Sequence, residues 1–128
     1  MKIPILKLGD VLLASIQFEL TDGAALEFQS DLIQAAESTR AQGVVVDITA
    51  LEVVDTFIAR VINDTGSMLQ LVGARVVVCG IQPPVALTLA EMGRELIGVE
   101  TALNLEQGLE KVRRMIALDV HELRESRN

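Results

Sequence analysis

The chain opens with two apolar runs, at about 3–8 and 11–18, separated by Gly9-Asp10. This pattern predicts a hairpin of two strands, and Pro4 assigns the first of them to a sheet edge, because proline has no amide hydrogen to give a neighbour. From Thr21 the period lengthens. Ala25, Phe28, Leu32 and Ala36 recur at helical spacing, which predicts a helix capped by Thr21 or Asp22 and closed by Arg40 and Gly43. The run "GVVVDI" that follows is β-branched without a polar break, the pattern of a central strand covered on both faces. Next, Ile58, Val61, Ile62, Thr65, Leu69 and Val72 share one face of a helix predicted over about 56–72, with Gly73 where a left-handed cap belongs. The opposite face carries Arg60, Asn63, Asp64, Ser67 and Gln70, a polar stripe that suits either solvent or a docked partner. "ARVVVCGI" then predicts a second buried strand, completing a parallel, right-handed β–α–β unit.

In the remainder, "QPPVALTLAEMG" starts a short helix with prolines at its first positions and stops it at Gly93. A short strand is predicted around Gly98 to Thr101. Asn104 caps a last helix in which Leu105, Leu109, Val112 and Ile116 share a face and Gly108 weakens the coil slightly. The polar end "HELRESRN" is expected to fray. The order β-β-α-β-α-β-α-(β)-α makes an α/β sandwich around a mixed sheet, with one domain over residues 1–118 and a polar tail over 119–128.

Composition narrows the function. A chain of 128 residues, half of them hydrophobic, buries a proper core without disulfides or metals, and with three phenylalanines as its aromatics that core is aliphatic. The formal net charge of −7 and the lack of stacking aromatics argue against nucleic acid as a partner. No apolar run approaches the roughly 20 residues that span a bilayer, the N-terminus lacks a signal-peptide pattern, and the single Cys79 forms no internal disulfide. These features predict a soluble cytoplasmic protein that is not attached to a membrane.

Catalytic chemistry finds little support. Neither glycine-rich phosphate-binding fingerprint is present, the one histidine, His121, lies in the polar tail, and one Cys with one His cannot assemble a zinc site. Asp47 and Asp55 end apolar runs, where turn and cap residues are common. Cys79 inside "VVVCG" reads as a small buried hydrophobe. The pair Asp55-Thr56 is different in kind. Taken alone it is a helix cap, yet a hydroxyl at the first helical position faces unpaired amides and the positive end of the helix dipole, and Arg60 stands one turn on, where it could pair with a phosphate that Asp55 would repel.

The element order, together with "GVVVDITALEVVDTFIARV" and "GARVVVCGIQPPVALTLAEMG", resembles the STAS domain of bacterial anti-sigma-factor antagonists over about residues 2 to 117. "KIPILKLGDVLLASIQFEL" and "GIQPPVALTL" resemble in particular the small single-domain scaffold of the bacterial stressosome. The resemblance implies a non-enzymatic protein without cofactor or metal. It implies assembly into a large cytoplasmic hetero-oligomer with STAS-containing co-antagonists that carry a sensor domain, and sequestration there of a serine/threonine switch kinase. Phosphorylation of the hydroxyl at the start of the second helix releases the kinase toward a downstream phosphatase and an alternative sigma factor, and a dedicated phosphatase resets the site. That hydroxyl corresponds to Thr56, where scaffolds of this type commonly have Ser, with Asp55 and Arg60 as its neighbours in the switch. Thr88 matches a second regulatory threonine of the sensor-bearing co-antagonists; on residues alone it is a packed mid-helix threonine. Two alternatives stay open: a stand-alone STAS antagonist that binds an anti-sigma factor directly, although the Asp-Ser-Ser-Gly marker of that group is replaced by Asp55-Thr56-Phe57-Ile58, and a STAS domain that binds a small ligand or nucleotide.

Overall fold

In a computed structural model describing residues 2–92 and 99–126, the elements run β1 (Ile5–Leu8), β2 (Val11–Ser15), α1 (Asp22–Thr39), β3 (Gly43–Asp47), α2 (Thr56–Leu71), β4 (Arg75–Cys79), α3 (Pro83–Glu91), β5 (Glu100–Ala102) and α4 (Leu105–Ser126). The strands form one mixed sheet in the order β1-β2-β3-β4-β5. β1 is antiparallel to β2 through the Gly9 turn, where φ is +62°, and pairs Leu8 with Val11. β2, β3, β4 and β5 are mutually parallel. The mixed sheet, its N-terminal hairpin and the four helices are those the sequence predicts, with the proline-preceded strand at an edge and the "GVVVD" strand at the centre.

Strand alternation divides the core in two. Leu12, Ala14, Val44, Val46, Val76 and Val78 face α1 and α2. Their neighbours Val11, Leu13, Val45, Val77 and Cys79 face α4, where Val112 and Met115 cover them. Val44, Val45 and Val77 are completely buried. Each such side chain contributes roughly 1.5–3 kcal/mol relative to an exposed one, which is how so few aromatics suffice. Gln29 ties α1 to α2 by donating from Nε2 to Thr65 Oγ1 at 3.1 Å, and Thr65 in turn donates to the Val61 carbonyl.

Several details differ from the sequence pattern. α1 is closed by Arg40, which itself takes the left-handed conformation (φ 52°) and donates its amide to the Ala36 and Glu37 carbonyls. Gly43 is not part of that cap. It begins β3, and a Cβ there would lie 2.6 Å from Val112 Cγ2, so its role is to let α4 approach the sheet. Gly108 has a similar function, with its Cα side against Val45 and Cys79. Val72 is exposed rather than on the buried face, because it caps α2 as the chain turns through Gly73 (φ +93°). Asn63 is buried, not part of the exposed stripe. The segment from His121, expected to fray, is helical through Ser126 in continuation of α4 and carries the exposed His121–Glu125 pair at 3.1 Å one turn apart. Gly93, the expected stop of α3, and Gly98, at the head of the expected fifth strand, lie outside the described residues; the described part of that strand is Glu100–Ala102.

Candidate switch site at the head of helix α2

The chain leaves β3 through a fixed turn. Asp47 Oδ1 accepts from the Thr49 amide at 3.0 Å and from the Thr49 hydroxyl, and the Leu51 amide donates to the Ile48 carbonyl. Leu51, 1% exposed, anchors the loop in the core. A brace crosses from the end of β4: Gln82 Nε2 donates to the Thr49 carbonyl at 2.6 Å, and Gly80 at φ +76° leaves room for Thr49. Beyond this turn, residues 52–55 lead to α2 without forming helix or strand.

Asp55 is the N-cap. Its backbone is extended (φ −84°, ψ 175°), its Oδ1 accepts from the Ile58 amide at 2.8 Å, and its carbonyl accepts the Ala59 amide at 3.0 Å. Ile58 and Ala59 are buried and fix the helix against the core. Thr56 is therefore the first helical residue, exposed, and its hydroxyl forms no hydrogen bond among the described residues. The carboxylate performs the capping and leaves the hydroxyl to solvent. Arg60, one turn on, is exposed and has no ion pair among the described residues. Beside the cap lies an open groove of about 370 Å³, lined by apolar Leu20, Leu51, Val54 and Ile58 and by the carboxylates of Glu19 and Asp55.

The other candidates sit in less available settings. Thr88 is half-buried in α3 between the core residues Val85 and Leu89, and its hydroxyl donates back to the Pro84 carbonyl at 3.2 Å. Cys79 is fully buried, and burial, reinforced by the neighbouring Asp47 carboxylate, pushes its thiol up to about 12, which keeps it protonated and unreactive. His121 is exposed, and its one ion-pair partner among the described residues is Glu125. No cluster of three or more His, Cys, Asp or Glu suited to a metal ion occurs among the described residues, and none of their helices is long and apolar enough to cross a membrane.

Two features escape a sequence reading. The Gln82–Thr49 brace joins positions 33 apart and has no local signature. The outward face of α2 is not purely polar: Phe57, Met68 and Leu71 are exposed on it, a signal available from their shared helical face had the apolar residues opposite the core stripe been counted.

Residues 2–108 match the STAS domain family. RsbS of Moorella thermoacetica, in a serine-to-glutamate variant, superposes with a TM-score of 0.81 at 40% identity, covering 90% of this chain and 97% of that one. A chain from the molecular architecture of the stressosome, a signal integration and transduction hub, gives 0.77 at 41% identity, covering 88% and 97%. The RsbT co-antagonist protein RsbRA of Bacillus subtilis is 34% identical over 86 residues, which is 67% of this chain and 31% of that protein, so the chain spans about a third of the length of this curated relative. The family match, which reaches from the first strand through the start of α4, and a fold shared with RsbS and the stressosome chain lead to one conclusion: the chain belongs to the STAS domain family.

Proposed function

We propose that this protein is a phosphorylation-switched scaffold of a stressosome-type assembly, holding a serine/threonine switch kinase while Thr56 is unmodified and releasing it once Thr56 is phosphorylated. The observation that carries this function is the division of labour at the head of α2, where Asp55 caps the helix and the adjacent Thr56 hydroxyl is exposed and unbonded. The kinase transfers the γ-phosphoryl group of ATP to Thr56 Oγ1. The hydroxyl proton passes to the kinase's base and ADP leaves. The new group carries roughly −1.5 to −2 charges near pH 7 beside the Asp55 carboxylate, and a partner surface seated there loses its complementarity through desolvation and repulsion. A phosphatase resets the site by hydrolysing the phosphate ester with water. The larger assembly is formed in the cytoplasm with STAS-containing co-antagonists that add a sensor domain, and the scaffold itself performs no catalysis and uses no cofactor. Thr88 is the secondary acceptor in this scheme, disfavoured by its back-bonded hydroxyl and partial burial.

The test is intact-mass and peptide mass spectrometry after incubation with the candidate switch kinase, a co-antagonist and ATP. The expected result is one phosphate on the peptide containing Thr56, lost in Thr56→Ala. Kinase binding is retained in Thr56→Ala and weakened in Thr56→Asp. A phosphate confined to another residue, or equal kinase affinity for both variants, removes Thr56 from the mechanism.

A further inference from the structure

We propose that the chain pairs with a second copy of itself through the last turns of α4, each helix end lying antiparallel along the other and seating against the other copy's N-terminal hairpin. The pairing stands apart from the switch at Thr56 and depends on no kinase.

The two faces of the sheet are covered unequally. Five strands at about 4.8 Å spacing span roughly 19 Å between the outer strand axes, and a helix with its side chains is about 10–12 Å across, so a full face takes two helices. α1 and α2 supply two on one face. On the other, α4 is the one helix among the described residues, and it packs along β3, β4 and β5. β1 is left bare there. Leu6 and Leu8, opposite Leu13 and Val11 in the register and on the same side of the sheet, are 54% and 38% exposed. An open groove of about 410 Å³ separates this hairpin from α4, lined by Leu8, Val11, Ile116 and Ala117 with the charged Asp10 and Arg113.

The same chain carries a helix end that has outrun its sheet. Asp119 pairs at 3.4 Å with Arg75, the first residue of β4, so α4 reaches the sheet's edge there. Every residue from Ala117 to Ser126 is exposed. This overhang is about 15 Å long, and a helix so short is marginal in water by itself. At about 100° per residue, Ile116, Val120 and Leu123 fall within an arc of about 60°, and Val120 and Leu123 are 43% and 58% exposed. The arc is turned by about 80° from the side on which Gly108, Val112 and Met115 meet the sheet, and Ile116 within it lines the groove. The apolar edge of the overhang therefore looks sideways, toward the hairpin side of α4.

Each copy thus holds what the other lacks, a bare apolar floor wide enough for a helix and an apolar helix end without a floor. With a two-fold axis near Val120, antiparallel pairing brings Leu123 of one copy beside Ala117 of the other, over its groove, and leaves the two sheets at opposite ends of the helix pair. Parallel pairing would bring both hairpins into the same space between the helices. An overhang about 15 Å long and 10 Å across, half enclosed, buries roughly 230 Å². Two overhangs and two floors together bury on the order of 1,000 Å², the low end for a stable interface, so a dimer of about micromolar Kd is expected. The overhang lies beyond residue 108, where the match to the STAS family ends.

The experiment is sedimentation equilibrium of the full chain from about 1 to 100 μM, a range that brackets a micromolar Kd. Val120→Glu and Leu123→Glu on the overhang and Leu8→Glu on the floor each raise the dimer Kd about tenfold or more, with thermal melts showing the fold intact at these exposed positions. Leu118→Glu, on the opposite side of the same helix end and 54% exposed, stays within about twofold of wild type. Chains bearing Leu8→Cys, mixed with chains bearing Leu123→Cys and oxidised with diamide, join as a disulfide-linked pair, in which the buried Cys79 takes no part. A wild-type chain that stays monomeric at about 100 μM overturns the pairing, whether or not a co-antagonist binds it. So does a dimer that persists in both Val120→Glu and Leu123→Glu, a Leu118→Glu loss as large as theirs, or a mixture that yields no cross-link.

Discussion

Replacing Asp55 and Thr56 separately gives opposite results, although they are adjacent at one helix head. Asp55→Ala removes the 2.8 Å bond from the Ile58 amide and leaves that donor without its side-chain acceptor. Loss of such a cap costs about 1 kcal/mol, within a range of roughly 0.5–2. For a chain of 128 residues, the unfolding entropy of about 2.1 cal/mol/K per residue converts 1 kcal/mol into a fall in Tm of about 4 °C. Asp55→Asn keeps an acceptor oxygen in place and holds Tm within about 2 °C. Thr56→Ala breaks no hydrogen bond among the described residues and replaces a β-branched residue by the best helix former, so Tm stays constant or rises by a degree or two. Far-UV circular dichroism melts of the three variants decide the matter. A Thr56→Ala loss equal to that of Asp55→Ala would mean that the hydroxyl shares the capping, and the division of labour behind the proposed switch would be refuted. If Asp55→Asn is as damaging as Asp55→Ala, the carboxylate acts by charge and not as an acceptor.

Other substitutions probe the framework that holds this helix head. Gly80→Ala drives a Cβ into Thr49 Oγ1 and to 2.9 Å from Thr49 Cα at a φ of +76°, so relief requires backbone movement and the expected cost is about 3 kcal/mol or more, read as a Tm fall of roughly 10 °C; a loss below about 1 kcal/mol would show that the turn yields easily. Gly43→Ala meets only the tips of Val112 and Ile116, at 2.6 and 3.0 Å, and is expected to cost about 1–2 kcal/mol by pushing α4 outward. Cys79 is expected to react with thiol reagents at neutral pH only through unfolding, so labelling faster than unfolding would contradict its burial. Its thiol ionises at 9.0 when unfolded and at about 12 when folded, so the folded state binds more protons between these values and stability falls as pH rises through that window; urea melts of Cys79→Ala should show a shallower decline there.

The parts of this fold legible in the sequence are those governed by local period and chemistry. The hairpin at Gly9, the buried β-branched strands, the starts of α1 at Thr21-Asp22 and of α2 at Asp55-Thr56, and the prolines opening α3 follow from patterns within a few residues. What remained hidden depends on distant neighbours. Gly43 and Gly108 look like a helix terminator and a helix weakener, yet another element stands where a Cβ would go, at 2.6 Å for Gly43 and at a tight 3.2 Å for Gly108. Asn63 fits a polar stripe by periodicity but is buried. The polar C-terminal segment lacks a core-forming pattern, yet α4 continues through Ser126, with the exposed pairs Arg75–Asp119 and His121–Glu125 along it. At the site itself, Asp55-Thr56 is visible as a pair, but which of the two caps is a matter of rotamer and backbone angle that no spacing encodes.

That assignment bears on how a phosphate could act. With the cap made by Asp55, a phosphoryl group on Thr56 arrives next to a carboxylate already engaged with the helix amides. At a separation on the order of 6 Å in water-like dielectric, a dianion and a carboxylate repel by about 1 kcal/mol. Attraction to the positive end of the helix dipole returns roughly 0.3–1 kcal/mol, and an i,i+4 pair with Arg60 a few tenths more. The internal terms nearly cancel, so phosphorylation leaves the stability of the domain almost unchanged, with Tm expected within about 4 °C of the unmodified chain. In the proposed switch the effect is therefore external: the charge that the domain tolerates opposes a partner surface that must desolvate it. A scaffold that stays folded in both states can be reset and reused, which requires the hydroxyl to contribute nothing to the fold. If the phosphorylated chain instead melts 10 °C or more below the unmodified one, release would come from unfolding of the α2 head, and surface electrostatics at Thr56 would not be the cause.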